Sequence, residues 1–127
     1  MQIQDKIGTL TFAIDLGNIR VETVQDVSGI SEASEGKPGE VRITRGLDRS
    51  QAFTDWINLT SRDHDPSSTR QNVTITAMDA NKKPVHRIIL HRAWCSSWTG
   101  PSLEADNTGP ASETVTLAYD DMRVEQL

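Results

Sequence analysis

Apolar residues recur at every second position over most of this chain and at helical spacing in only one place, and that change of period restricts the available folds most. Leu10, Phe12, Ile14 and Leu16 alternate with Thr11, Ala13 and Asp15, which is the pattern of a strand with one buried face. Gly17-Asn18 supplies a two-residue reversal, and Ile19 to Val24 returns as the partner strand. Val41 and Ile43 mark a short strand ended by Arg45-Gly46. Val73 to Ala77 and Val85 to Arg92 form a second hairpin around a turn at Asp79 to Pro84. Within it, Ile88-Ile89-Leu90 reads as a strand covered on both faces. Glu113 to Tyr119 alternates Val115, Leu117 and Tyr119 against Thr114, Thr116 and Ala118, and Met122 and Val124 extend it or begin a tail strand.

The exception is Phe53, Trp56, Ile57 and Thr60, which fall at i, i+3, i+4 and i+7 and make one apolar stripe on a helix. Asp48 or Ser50 can cap its start, and Asp65-Pro66 closes it. The expected fold is α+β and mainly antiparallel. About six strands form a two-sheet sandwich or barrel with one flanking helix, in a single domain over residues 1–127.

Burial has to be economical. Apolar residues make up 35% of the 127 and aromatic residues 5%, and the mean hydropathy is −0.48. A thin two-layer core results, or a subunit that completes its burial against neighbours. Thirteen Lys and Arg against eighteen Asp and Glu leave a net charge of −5, the wrong sign for holding phosphate backbones. No apolar run reaches the eighteen or so residues of a membrane span, so no membrane anchoring is expected. Met1 to Lys6 lacks a basic start and apolar run, which points to cytoplasmic synthesis.

The chemistry-bearing residues do not assemble an active site. His86 and His91 lie five apart on one expected strand and so point to opposite faces. His64, in Asp63-His64-Asp65-Pro66, lacks the ligand spacing and central glycine of a calcium loop. Cys95, the only cysteine, lies about 13 Å along a strand from His91, beyond the reach of a nucleophile and its base. The expectation is no catalytic residue, no metal, no cofactor and no enzyme activity. The tryptophans admit two readings. On a regular strand Trp94 and Trp98 share a face, and with Trp56 they would make either a stacking platform for a glycan or peptide or the filling of a thin core. The core reading takes Phe53, Trp56, Trp94, Trp98 and Leu103 together.

Several of these pieces recur in a recognisable order: Val41-Arg42-Ile43-Thr44-Arg45-Gly46, then Phe53 and Trp56, then Val73-Thr74-Ile75 leading to Asp79. Ala93-Trp94-Cys95-Ser96-Ser97-Trp98 and Gly100-Pro101-Ser102-Leu103-Glu104-Ala105 follow, and Glu113 to Tyr119 closes the series. From about Phe12 to Val124 the chain resembles the tail-tube proteins of contractile phage tails and of phage-tail-like contractile injection systems. The resemblance implies two antiparallel sheets with a flanking helix, and a structural role. Six subunits would form a ring, rings would stack into a rigid hollow tube, and a contractile sheath would drive that tube through a target membrane. It also implies as partners the sheath protein, the baseplate or spike, and a cargo or tape-measure protein. Nucleic acid enters only as lumen content if the particle is a phage tail. The assembled particle, extracellular after release, would be the protein's final location. In the loop from Ser31 to Gly39, Ser31, Glu35, Lys37 and Pro38 are the residues that the resemblance assigns to contacts between rings. This loop is shorter than the arm that relatives use. Cys95 stands where relatives often carry proline. The rival reading is a monomeric β-sandwich binding module.

Overall fold

The computed structural model describes residues 11–29, 35–46, 50–62, 69–99 and 113–127. Within them the order is β1 (Thr11–Leu16), β2 (Ile19–Val24), β3 (Asp26–Ser28), β4 (Gly39–Arg45) and α1 (Gln51–Arg62). After the helix come β5 (Gln71–Met78), β6 (Pro84–Thr99), β7 (Glu113–Tyr119) and β8 (Asp121–Gln126). The fold is mainly antiparallel β with one helix. Its strands run β2-β1-β5-β6-β7-β4-β3, with β8 added to β6, and the sheet is not closed into a barrel.

β6 organises this arrangement because it serves two sheets. Its first part lies between β5 and β8, with Ile88 opposite both Ile75 and Val124. Its last part pairs with β7 alone, from Trp94 opposite Ala118 to Thr99 opposite Thr114. The change of sheet occurs at a bulge where Leu90 faces Val73 but Ala93 faces Gln71. Arg92 sits in it at φ 56°, a left-handed conformation rare outside glycine. The Asn72 side-chain carbonyl accepts the Arg92 N–H at 3.1 Å and so holds the bulge. The inward set moves accordingly from Ile88 and Leu90 to Ala93 and Cys95, all nearly inaccessible to solvent. Two sheets thus result, β2-β1-β5-β6-β8 and β3-β4-β7-β6, around a shared core that includes Phe12, Ile14, Val41, Ile43, Ile75, Leu90, Val115 and Leu117.

Two strands exceed the six expected. β3 has three residues and only Val27 turned inward, too little for a period to register. β8 carries on in the direction of β7 after a break at Asp120, antiparallel to the first part of β6 as β7 is to its last part, with the Asp120 N–H donating to the His91 carbonyl at 3.0 Å. In β6, Ile89 is half-buried between the buried Ile88 and Leu90, so the strand is fully covered on one face only. At the start of β4, Gly39 lies under the buried Tyr119 ring, and a Cβ there would meet the Tyr119 hydroxyl at 2.6 Å.

The helix begins at Ser50, whose Oγ accepts the Phe53 N–H at 3.1 Å; Asp48, the other candidate cap, lies outside the described residues. Phe53, Trp56, Ile57 and Thr60 are buried, and the Phe53 and Trp56 rings stack with centroids 6.0 Å apart. Thr60 Oγ1 donates to the Trp56 carbonyl at 3.0 Å and accepts the Cys95 N–H at 3.1 Å, fastening α1 against β6. No helix among the described residues is long and apolar enough to cross a membrane.

Candidate functional site

The most polar part of the interior is a buried ion cluster at the end of β4. Arg45 continues the inward phase of Val41 and Ile43, Glu113 precedes Val115 and Leu117 in phase on β7, and Glu22 precedes Val24 on β2. The three are 0%, 6% and 7% exposed, so each charge is removed from water and needs a partner. Arg45 forks onto Glu22, with Nη2 to Oε1 at 2.6 Å and Nε to Oε2 at 2.8 Å, and its Nη1 pairs with Glu113 Oε1. Nη2 also donates to the Ser50 carbonyl at 3.2 Å and Thr54 Oγ1 at 3.0 Å, and the guanidinium lies 5.0 Å from the Phe53 ring centre.

Two carboxylates against one guanidinium leave one surplus negative charge. The start of α1 answers it, since the Ser50 N–H donates to Glu22 Oε1 at 2.8 Å where the helix dipole is positive. The Trp98 indole N–H answers it from the other side, donating to Glu113 Oε2 at 2.9 Å. Burial draws the Arg45 guanidinium down, but hydrogen bonds and charge from Glu22 and Glu113 outweigh that and hold it above its ordinary value. One arginine thereby joins β2, β4, β7, the start of α1 and the end of β6.

The sequence reasoning passed over all three members of this cluster. The available signal was phase: a charged side chain in the inward position on three strands has to find its counter-charge inside.

The tryptophans do not form a platform. Trp94 pairs with Ala118 and Trp98 with Val115, which lie on opposite faces of β7, because a second bulge between Cys95 and Ser97 reverses the alternation. Trp94 is half-buried on the outward face, where the Arg70 guanidinium covers it 3.8 Å from the ring centre. Arg70 and Arg92 are both tied to Asp120 beside it. Trp98, expected in the core, is 49% exposed at its rim. Phe53 and Trp56 are the aromatic pair inside, and Leu103 lies outside the described residues.

Cys95 is 2% exposed, and its thiol donates to the Ser97 carbonyl at 3.3 Å. Desolvation pushes the thiol up to about 11, with a lowering contribution from the Ser97 backbone and a smaller raising one from the charge of Glu113. At pH 8 only about one molecule in a thousand would carry the thiolate, the reactive form. Iodoacetamide should therefore label the native protein far more slowly than the urea-unfolded protein, as mass spectrometry over time will show. Equal rates would contradict this environment. Among the described residues, no group of three or more His, Cys, Asp or Glu side chains could hold a metal ion.

In the loop, Glu35, Lys37 and Pro38 are exposed, and Ser31 lies outside the described residues. The loop's later part is fastened to the outer edge of β8. The Gly36 N–H donates to the Met122 carbonyl at 3.0 Å, and Glu35 Oε1 accepts the Val124 N–H at 2.6 Å. Beyond it, Lys37 and Pro38 border a groove of about 560 Å³ whose floor includes Arg42, Ser97 and Thr116 on the outward face of the β4-β7-β6 sheet.

Solved structures share this architecture. The anti-feeding prophage cap (the AFP tube terminating cap) matches with TM-score 0.71 and 18% identity, over 100% of this chain and 95% of that one. A chain of the sixfold-symmetrised anti-feeding prophage baseplate matches with TM-score 0.69 and 20% identity, over 99% and 98%. Hcp1 from Flavobacterium johnsoniae matches with TM-score 0.60 and 10% identity, over 91% and 95%. Among curated proteins none matches. The family described as T4-like virus tail tube protein gp19 matches residues 33–123, from the loop before β4 into the start of β8. The chain belongs to this tail tube family, and its role is that of a structural tube subunit.

Proposed function

We propose that six copies of this chain close into a ring and that rings stack into the rigid hollow tube of a contractile injection system or contractile phage tail. Sheath contraction then drives the tube through a target membrane. The observation that carries this reading is the family match across residues 33–123. Sixfold symmetry is supported by the likeness to a chain of a sixfold-symmetrised baseplate. A sheath as partner is supported by the likeness to a chain of the PVC sheath-tube complex in its extended state.

The physical case is consistent with this. A sheet that is not closed into a barrel leaves strand edges that invite pairing, and a closed ring of identical copies satisfies them. The sheath, the baseplate or spike, and a cargo or tape-measure protein are the partners of this reading. The assembled particle is its location, and Glu35, Lys37 and Pro38, exposed in the loop before β4, are with Ser31 its contacts between rings.

Sedimentation velocity of the purified protein tests it. A species of about six times the 14.1 kDa chain mass, or a larger stacked series, is expected. A monomer at every concentration up to the millimolar range would overturn it.

A further inference from the structure

We infer that the outward face of the β4-β7-β6 sheet binds an acidic segment of another protein, with Arg70 and Arg92 at one end of the site and Lys37 and Arg42 at the other. Such a site belongs to the folded subunit, whether or not it stands in a ring. Four cations gather there beside two carboxylates, Glu40 and Asp120, on a chain whose net charge is −5. The rest of the molecule is correspondingly more acidic.

At the first end, two guanidinium groups share one carboxylate. Arg70 Nη1 reaches Asp120 Oδ1 at 3.2 Å and Arg92 Nε reaches Asp120 Oδ2 at 3.0 Å, which leaves one positive charge over. Among the described residues, Nη2 of Arg70 and both Nη atoms of Arg92 make no hydrogen bond, and the Arg70 Nε is buried without a partner. Both groups are also held in place. Arg70 lies on the Trp94 ring, 3.8 Å from its centre, and Arg92 leaves a backbone fixed at φ 56° by the Asn72 side chain. A residue other than glycine persists in that conformation only where its surroundings enforce it. Two ordered guanidinium groups with a surplus charge suit an incoming carboxylate, which can accept from an arginine at two points.

At the other end, Lys37 and Arg42 border the groove of about 560 Å³, and neither has an ion pair among the described residues. The carboxylate beside them, Glu40, accepts from Ser96 Oγ at 2.8 Å. Asp26, opposite Thr44, lies beyond the groove and pairs with neither cation. Between the two ends stand the hydroxyls of Ser97 and Thr116, which can donate to peptide carbonyls. Trp94 is opposite Ala118 and Ala118 is opposite Glu40, so Arg42 lies two strands across and two residues along from Trp94, about 12 Å. About four residues of extended chain, at roughly 3.3 Å each, cover that distance.

The occupant is a protein segment and not a nucleic acid. A chain of net charge −5 repels a phosphate polymer at long range, whereas a short acidic segment meets chiefly the local cations. Bases also need an open aromatic surface for stacking. Trp94 is half-buried under Arg70, and Tyr119 is buried in the core.

Fluorescence anisotropy with a synthetic peptide tests the site. A fluorescein-labelled peptide of about eight glutamates, long enough to span it at roughly 3.3 Å per residue, should bind the native protein saturably at low ionic strength. The matching glutamine peptide should not. Arg92→Gln and Arg42→Gln, one at each end, should each weaken binding by about tenfold. Arg87→Gln removes an equal charge from the partly exposed pair with Glu125 on the other sheet, and should leave the affinity within about twofold of native. No binding of the glutamate peptide overturns the site. An equal loss in all three variants also overturns it, because the peptide would then be responding to net charge alone. Tighter binding of single-stranded oligothymidylate than of the glutamate peptide overturns the choice of occupant. Should Arg92→Gln fail to fold, as loss of the near-ultraviolet circular dichroism signal would show, Lys37→Gln with Arg42→Gln replaces it. Both side chains are exposed and without ion pairs among the described residues, and unchanged peptide affinity in that variant would overturn the site.

Discussion

Replacing Arg45 with alanine should cost about 3 to 5 kcal/mol of folding stability, the range found when one partner is removed from a buried ion pair. Glu22 and Glu113 would be left facing each other at 7% and 6% exposure without a counter-charge. Ser50 and Thr54 would lose the guanidinium that holds the start of α1 against β2 and β4. A domain of this size has about 5 to 15 kcal/mol in total, so the loss is a large fraction of it. Urea denaturation measures it as a lowered midpoint. Arg45→Lys should fall between alanine and the native protein, because an ammonium keeps the charge but cannot reproduce the two-point grip on Glu22. An alanine variant within about 1 kcal/mol of native would mean that the cluster does not hold these elements together.

Phe53→Ala is expected to cost a comparable amount, about 3 to 5 kcal/mol for a fully buried aromatic. The ring is 0% exposed, stacks on Trp56 and lies beneath the Arg45 guanidinium, so its loss opens a cavity at the point where the helix meets the ion cluster. Leu59 on the same helix is 55% exposed, and Leu59→Ala should change stability by no more than about 0.5 kcal/mol. Thermal unfolding of the two variants side by side separates them. Equal effects would contradict the orientation assigned to α1.

The alternation along β1, β4 and β7 was legible because each strand keeps one face against the core throughout. The stripe of α1 was legible for the same reason, and Phe53, Trp56, Ile57 and Thr60 all lie inside. What the sequence concealed were breaks in period. The bulge at Arg92 and the second one between Cys95 and Ser97 each shift the alternation by a residue. The second of them lies between Trp94 and Trp98, which, four apart, therefore end on opposite faces instead of sharing one. Nothing in the local composition announces a bulge whose φ of 56° falls on an arginine and is held by an asparagine twenty residues away. The ion cluster was legible in principle. Arg45, Glu113 and Glu22 each occupy the inward phase of their strand, and three such residues with opposite charges imply one another once the strands are brought together. The fastening of Glu35 and Gly36 to β8 was not, because a loop of Gly, Ser, Glu and Lys carries no period to read.

The central claim is that this chain builds a hollow tube, and negative-stain electron microscopy of the purified, concentrated protein tests it most directly. The account predicts rings in face view, and rods in side view, with a stain-filled central channel and sixfold symmetry in averaged ring images. Uniform compact particles the size of a single chain, without rings or rods at any concentration examined, would contradict it.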